Sequence, residues 1–261
     1  MATISALVPA AGCGARANTK GNKVLAVLHG QPLLWWTLRA LTDPAGIPSD
    51  AKLTEVIIAA RGDELALIRP IVSALPDHPQ PHSATTLHTP AIHLVEGGAS
   101  RRQSAANAAR AATGDFLLVH DAARPLLSPP LMARVCRAAL DDGAAIAAVP
   151  CTDTVKQISP HESKHEGKVV IERTLDRRTL WLAQTPQVFH RAILAAALAR
   201  AEADAFDGTD CASLVERLVG SAGQPLHPVT IVEGEARNFK VTYPPDFERA
   251  AALLMENHDL T

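Results

Sequence analysis

The stretch Ile4-Ser5-Ala6-Leu7-Val8-Pro9-Ala10-Ala11-Gly12-Cys13-Gly14-Ala15-Arg16 decides how this chain folds. Ile4–Val8 has the length and bounded end of a buried strand, and a glycine-bearing turn follows at once. Short apolar runs of the same kind return at Val56–Ala60, Ile92–Val95, Phe116–Val119 and Ala144–Val149. Between them, Leu33–Leu41, Glu64–Leu75, Arg101–Ala112 and Pro130–Leu140 carry helical spacing. This alternation predicts an α/β fold, a single-domain Rossmann-like and mostly parallel sheet with helices on both faces, spanning residues 1–261. Binding sites in such sheets lie beyond the carboxyl ends of the strands. Those ends read Pro9-Ala10-Ala11-Gly12, Glu96-Gly97-Gly98 and His120-Asp121-Ala122-Ala123-Arg124-Pro125.

Two segments depart from the pattern. Pro76–Pro90, rich in Pro, His, Ser and Thr, reads as an exposed loop. From Cys151 to Pro186, the alternating stretches Thr154–Ile158 and Lys168–Ile171 flank a polar tip, Ser159–Lys168. This reads as a β-arm over 151–186 that projects from the sheet and packs on a partner subunit, because a lone hairpin buries too little to be stable.

Composition narrows the function. Of the 261 residues, 47% are hydrophobic and 20% charged, as in an ordinary globular protein. A formal charge of −2 argues against a protein that coats nucleic acid or an anionic membrane. An aromatic content of 3% argues against a stacking surface for single strands. Cys13, Cys136, Cys151 and Cys211 form no CxxC pair and fit a reducing cytoplasm. No apolar run has the length of a membrane helix, and the N-terminus lacks the basic start of a secretory signal.

The glycine turn supports several readings. Gly12-x-Gly14-x-x-Ala17 fits the loose dinucleotide-binding pattern, but strand two ends near Ala60, too far on for the ribose-binding acid. A Walker A loop lacks its GKS or GKT. A nucleoside triphosphate loop would use Arg16 and Lys23 to reach the phosphates. A plain turn with solvated basic residues also remains open. Asp121, at a strand's carboxyl end beside Arg124, is placed to face a metal, a ribose or a substrate. His161-Glu162-Ser163-Lys164-His165 spells the zinc signature HExxH, but Pro160 and Gly167 bracket it at the arm's tip, where no helix would put both histidines on one face.

The ordered set of blocks is more specific. Ala10-Ala11-Gly12-x-Gly14-x-Arg16, Lys23, Glu96-Gly97-Gly98 with Arg101 and Ser104, His120–Pro125, Asp153-Thr154-Val155-Lys156, Asp176-Arg177, Leu180-Trp181, Thr185-Pro186-Gln187, Thr209-Asp210 and Asn238–Thr242 occur in one sequence. From Ile4 to about Leu254 the chain resembles the 2-C-methyl-D-erythritol 4-phosphate cytidylyltransferases of the non-mevalonate isoprenoid pathway. The resemblance implies that a polyol phosphate attacks the α-phosphorus of CTP and that pyrophosphate leaves. It implies catalytic cations at Arg16, Lys23 and Lys240, and a nucleotide site at Ala10, Ala11, Gly12, Gly14, Gly98, Ala99, Ser104 and Asp121. The acceptor would meet Asp121, Arg124, Thr154, Arg177, Thr185 and Thr209. Mg²⁺ would be held mainly by the CTP phosphates, near Asp121. The arm would swap across a cytoplasmic homodimer and lend Thr154, Arg177 and Thr185 to the neighbouring site.

Two departures stand out: Asn22-Lys23-Val24-Leu25 where the family usually has Pro-Lys-Gln-Tyr, and Ala99 where an acidic residue is frequent. The competing functions are a cytidylyltransferase for another polyol phosphate such as ribitol phosphate, an NAD(P)-dependent oxidoreductase, a zinc hydrolase, and a catalytically dead interaction protein.

Overall fold

In the computed structural model, residues 1–12, 21–76, 89–158 and 169–258 are described. The chain opens with β1 (Ala2–Pro9), a small hairpin of β2 (Val27–Leu28) and β3 (Gln31–Pro32), α1 (Leu33–Leu41), β4 (Ala51–Ala60), α2 (Leu65–Ser73) and β5 (Ala91–Glu96). It continues through α3 (Arg101–Ala111), β6 (Phe116–Val119), α4 (Pro129–Asp142) and β7 (Ala144–Pro150). After the arm strands β8 (Lys156–Ile158) and β9 (Ile171–Thr174) come β10 (Trp181–His190), α5 (Arg191–Ala203), α6 (Ala212–Val215), β11 (Thr230–Glu233) and α7 (Pro244–His258). The seven-stranded sheet has the order β11-β7-β10-β6-β1-β4-β5. β1 is parallel to β4 and β6, whereas β10 is antiparallel to both of its neighbours, β6 and β7.

The strands expected from the apolar runs are all present. Their side chains alternate between two cores, because successive residues of a strand face opposite sides. Ile4, Ala6 and Val8 of β1 and Val56 and Ile58 of β4 join the core under α1, α2, α4 and α7. Leu7, Ile57, Leu117 and Val119 join the core under α3 and α5. The helix ends follow local chemistry. Ser100 accepts from the Gln103 N–H at the start of α3, and Ser128 accepts from the Leu131 N–H at the start of α4. Gly143, at φ +86°, ends α4 in the left-handed conformation that favours glycine.

One expectation is corrected. The arm does not extend to Pro186, because the chain re-enters the sheet at Trp181 as β10, an inner strand. Gln184, Thr185 and Gln187 break the apolar run there and hide the strand from a hydrophobicity reading. All three are nonetheless buried. The part that stands apart is the two-stranded ribbon of β8 and β9. The tip at 159–168, with the HExxH match, and residues 77–88 of the Pro/His-rich loop lie outside the described residues. No described helix is long and apolar enough to cross a membrane.

β10 contributes to both cores, Val188 to one and Phe189 to the other. Phe189→Ala should destabilise the chain by about 3–5 kcal/mol in urea unfolding. Leu67→Ala, at an exposed position of α2, should stay within about 0.5 kcal/mol of wild type.

Candidate active site

The carboxyl ends of β1, β5 and β6 surround a cleft of about 460 Å³, lined among others by Ala10, Ala11, Gly12, Lys23, Gly98, Ala99, Arg101, Ser104, Asp121 and Lys240. Its floor is a continuation of the sheet: the Ala10 N–H donates to Ala59 O at 2.7 Å, the Gly97 N–H to Ala60 O at 2.7 Å and the His120 N–H to Leu7 O at 2.9 Å. The loops after β1 and β5 approach so closely that a Cβ on Gly97 would stand 2.7 Å from the Ala11 Cβ, which explains the glycine there. The Ser104 hydroxyl accepts from the Gly98 N–H at 3.1 Å and lies 2.9 Å from Ser100 O, to which it donates. Ser104 therefore braces the Gly97-Gly98 turn as well as lining the cleft.

Asn22 replaces the proline usual before the loop lysine and shapes the opposite wall by hydrogen bonding. Its amide donates to Ala10 O at 2.6 Å and to Glu64 Oε2 at 2.8 Å, and its Oδ1 accepts from the Val24 N–H at 3.3 Å. Lys23 follows, its ammonium donating to Val241 O at 2.7 Å. The Val241 N–H donates to Ala123 O at 2.9 Å. Lys23 and the segment bearing Lys240 are thus tied to each other and to the turn after β6.

Asp121 is the centre of the charge pattern. Its Oδ2 lies 3.0 Å from Lys240 Nζ and 3.5 Å from Arg124 Nε, and its Oδ1 lies 3.3 Å from Arg101 Nη2. Burial pushes the carboxyl pKa up, but Lys240, Arg101 and Arg124 outweigh burial and hold it well below the usual carboxylate range. Arg124 is buried, and its Nη1 donates to Asn238 O at 2.6 Å. One carboxylate facing three cations leaves the site positively charged, a costly arrangement for stability alone. It suits a polyanionic ligand.

Other expected site residues fall elsewhere. Thr185 is not on the arm: it lies in β10, 3% exposed, and its Oγ1 accepts from the Asp121 N–H at 3.0 Å. It therefore belongs to the same chain's Asp121 turn. Thr154 and Arg177 are exposed at the base of the arm, where Arg177 donates to Thr152 O. Thr209 is exposed beside Asp210, which accepts from Gln187 Nε2 at 2.7 Å. The structure does not bring Thr154, Arg177 or Thr209 to the cleft wall. Gly14 and Arg16 lie outside the described residues.

Arg101 stands in the Glu96-Gly97-Gly98 block without an assigned role, and the structure places it one residue after the Ser100 cap, beside Asp121. Gln184 is not singled out by the sequence, and Asn238 stands in the Asn238–Thr242 block without an assigned role. Gln184 Nε2 donates to Glu235 O at 2.9 Å, and Asn238 Nδ2 donates to Thr185 O at 2.7 Å, so both hold the segment leading to Lys240. Gln184 is a buried amide inside the sheet and Asn238 one in a bend after β11, and neither position carries a periodicity signal.

Residues 4–256 match the family model described as IspD: 2-C-methyl-D-erythritol 4-phosphate cytidylyltransferase. A 2-C-methyl-D-erythritol 4-phosphate cytidylyltransferase of Syntrophus aciditrophicus (strain SB) is 35% identical over 253 residues, covering 96% of this chain and 95% of that protein. A bifunctional enzyme IspD/IspF of Anaeromyxobacter sp. (strain Fw109-5) is 41% identical over 252 residues, covering 96% of this chain, which spans 57% of the length of that relative. The crystal structure of 2-C-methyl-D-erythritol 4-phosphate cytidylyltransferase from Thermus thermophilus aligns with a TM-score of 0.65 at 35% identity, covering 95% of this chain and 97% of that one. With the family model matched over residues 4–256 and a relative of 35% identity covered over 95% of its length, the chain belongs to the 2-C-methyl-D-erythritol 4-phosphate cytidylyltransferase family.

Proposed function

We propose that the chain transfers the cytidylyl group of CTP to 2-C-methyl-D-erythritol 4-phosphate. The observation that carries this reading is the convergence of Lys23, Lys240 and Arg101 on one cleft beside the glycine turn. An oxygen of the acceptor's phosphate forms a bond to the α-phosphorus, the bond from the α-phosphorus to the α,β-bridging oxygen breaks, and pyrophosphate leaves carrying the bridging oxygen. No protein nucleophile is needed, so positioning and charge neutralisation make up the chemistry. Lys23 and Arg16 neutralise the triphosphate, and Lys240 brings a third cation. The walls formed by Ala10–Gly12 and Gly98–Ser104 take the nucleotide.

The acid content of the cleft fits Mg²⁺. No group of three or more His, Cys, Asp or Glu side chains converges among the described residues, and the cleft lining contains one carboxylate, Asp121. That suits an ion which keeps most of its phosphate and water ligands. When bound, it would add charge neutralisation on the phosphates.

The acceptor end is completed by a second copy. The ribbon of β8 and β9 is two-stranded, and Val169 and Ile171 are 68% and 57% exposed. Such a ribbon gains stability by packing on a partner. In a homodimer the arm brings Thr154 and Arg177 toward the neighbour's cleft, where the planar Arg177 fork suits a phosphate. Free, buried Cys136, Cys151 and Cys211 accord with a cytoplasmic location.

Pyrophosphate release with Mg²⁺, measured across CTP, ATP, GTP and UTP and with methylerythritol or ribitol phosphate, should be fast only for CTP with methylerythritol 4-phosphate. Fast release with ribitol phosphate alone would move the enzyme to another acceptor, and release with none of the pairs would end the transferase reading. Lys23→Ala should lower kcat by about 10²-fold or more with a smaller change in CTP affinity; a near-normal kcat would remove its transition-state role. Lys23→Ala and Arg177→Ala chains, each inactive alone, should recover activity when mixed and allowed to exchange subunits. Absence of recovery with exchange verified would rule out shared sites.

A further inference from the structure

The turn after β6 contains a closed chain of hydrogen bonds. The Asp121 N–H donates to Thr185 Oγ1 at 3.0 Å. Thr185 Oγ1 lies 3.0 Å from His120 Nδ1, and His120 Nε2 lies 3.1 Å from Arg124 O. His120 and Thr185 are 0% and 3% exposed, so each of these polar atoms depends on its protein partner.

We propose that His120 and Thr185 are positioning residues that together set where the Asp121 carboxylate stands, and that the Thr185 hydroxyl acts through Asp121 rather than as a donor to the acceptor's phosphate. This rests on the reading of the cleft as a nucleotidyl-transfer site. Counting protons gives the assignment. The Arg124 carbonyl only accepts, so Nε2 must carry a proton and donate to it. Burial pushes the His120 imidazole pKa down to about 4, so the ring is neutral near pH 7 and has one ring proton. Nδ1 is then an acceptor, and among the described residues its neighbour with a proton to give is the Thr185 hydroxyl. That hydroxyl has a single proton, already directed at His120, while its oxygen receives the Asp121 N–H. A donor bond from Thr185 to a phosphate would require a proton on Nδ1: either the opposite tautomer, with Nε2 and the Arg124 carbonyl facing each other as two acceptors, or an imidazolium, which burial of the ring disfavours.

The purpose of the chain of bonds follows from what it anchors. Asp121 is fixed by its backbone through Thr185, and Arg124 by its carbonyl through His120. These two residues and Lys240 form the ion cluster at 3.0 and 3.5 Å. A shift of the turn would change the spacing of the cations that meet the phosphates. Thr185 is also held from behind, since its carbonyl accepts from Asn238 Nδ2 at 2.7 Å.

The test begins with wild-type protein. ¹⁵N NMR of labelled histidine, with the ring of His120 assigned through its own backbone, should show Nε2 protonated and Nδ1 bare at neutral pH. Adding 2-C-methyl-D-erythritol 4-phosphate should leave that tautomer unchanged. A proton on Nδ1, in the free protein or after addition, would overturn the proposal even if no variant folds. Kinetics supply the second readout. Thr185→Val, and His120→Gln, which retains a donor toward Arg124 but no acceptor at the δ position, should each lower kcat by about 10- to 100-fold. The acceptor KM should change by less than about threefold. The double variant should be no worse than the poorer single one, and Thr185→Ser should restore activity. A raised acceptor KM at intact kcat for Thr185→Val, or additive losses in the double variant, would return Thr185 to the substrate. Inactive wild-type enzyme would instead count against the transferase reading, leaving the tautomer result to stand by itself.

Discussion

One carboxylate at the end of an inner strand sets the arrangement of the site. Asp121 is shielded from water and faces Lys240, Arg124 and Arg101, which come from three different parts of the chain. Without it, these cations would repel one another in a poorly solvated space. With it, Lys240 and Arg101 line a common cleft, Arg124 stands behind them, and the cluster retains a surplus of positive charge. The surplus suits a polyphosphate, and in the proposed transfer the same groups would stabilise the charge that shifts. The ion cluster is best understood as preorganisation of the site, because buried ion pairs contribute little net stability.

The sheet delivers this geometry through its one antiparallel inner strand. β10 lies between β6 and β7, and its buried polar side chains reach sideways to fix loops that are distant in sequence. Gln184 holds the turn at Glu235, and Gln187 Oε1 accepts from the Cys211 N–H at 3.1 Å while Nε2 holds Asp210. Thr185 meets the Asp121 turn. An apolar strand here would pack as well but leave these loops without anchors. Buried polar groups fully paired in this way order their surroundings, which explains why a central strand of this sheet is so hydrophilic.

β1, β4, β6 and β7 were legible in the sequence because they are largely buried and read as apolar runs, whereas β11, whose residues alternate between half-buried and exposed, gave no such run. α1 begins and ends where its spacing indicates, and Asp121 is visible as an acid at a strand's carboxyl end. Much of the rest escaped for a common cause. β10 reads as the end of the arm because Gln184, Thr185 and Gln187 interrupt its pattern, and their pairing with loops 23 to 65 residues away cannot be seen along the chain. Arg101 looks like an ordinary first-turn residue until α3 is placed against the sheet. Asn22, read as the loss of a proline, braces the loop with its side chain where a proline would act through its ring. Family resemblance supplied Lys240 and the arm residues; spacing alone did not select them.

The most direct measurement of the central claim is a crystal structure of the chain with CTP and a divalent cation. The nucleotide should lie between Ala10–Gly12 and Gly98–Ser104, its phosphates beside Lys23, with Asp121 still bound to Lys240 and Arg124. A triphosphate seated away from Lys23, or an Asp121 carboxylate released from both cations, would contradict it.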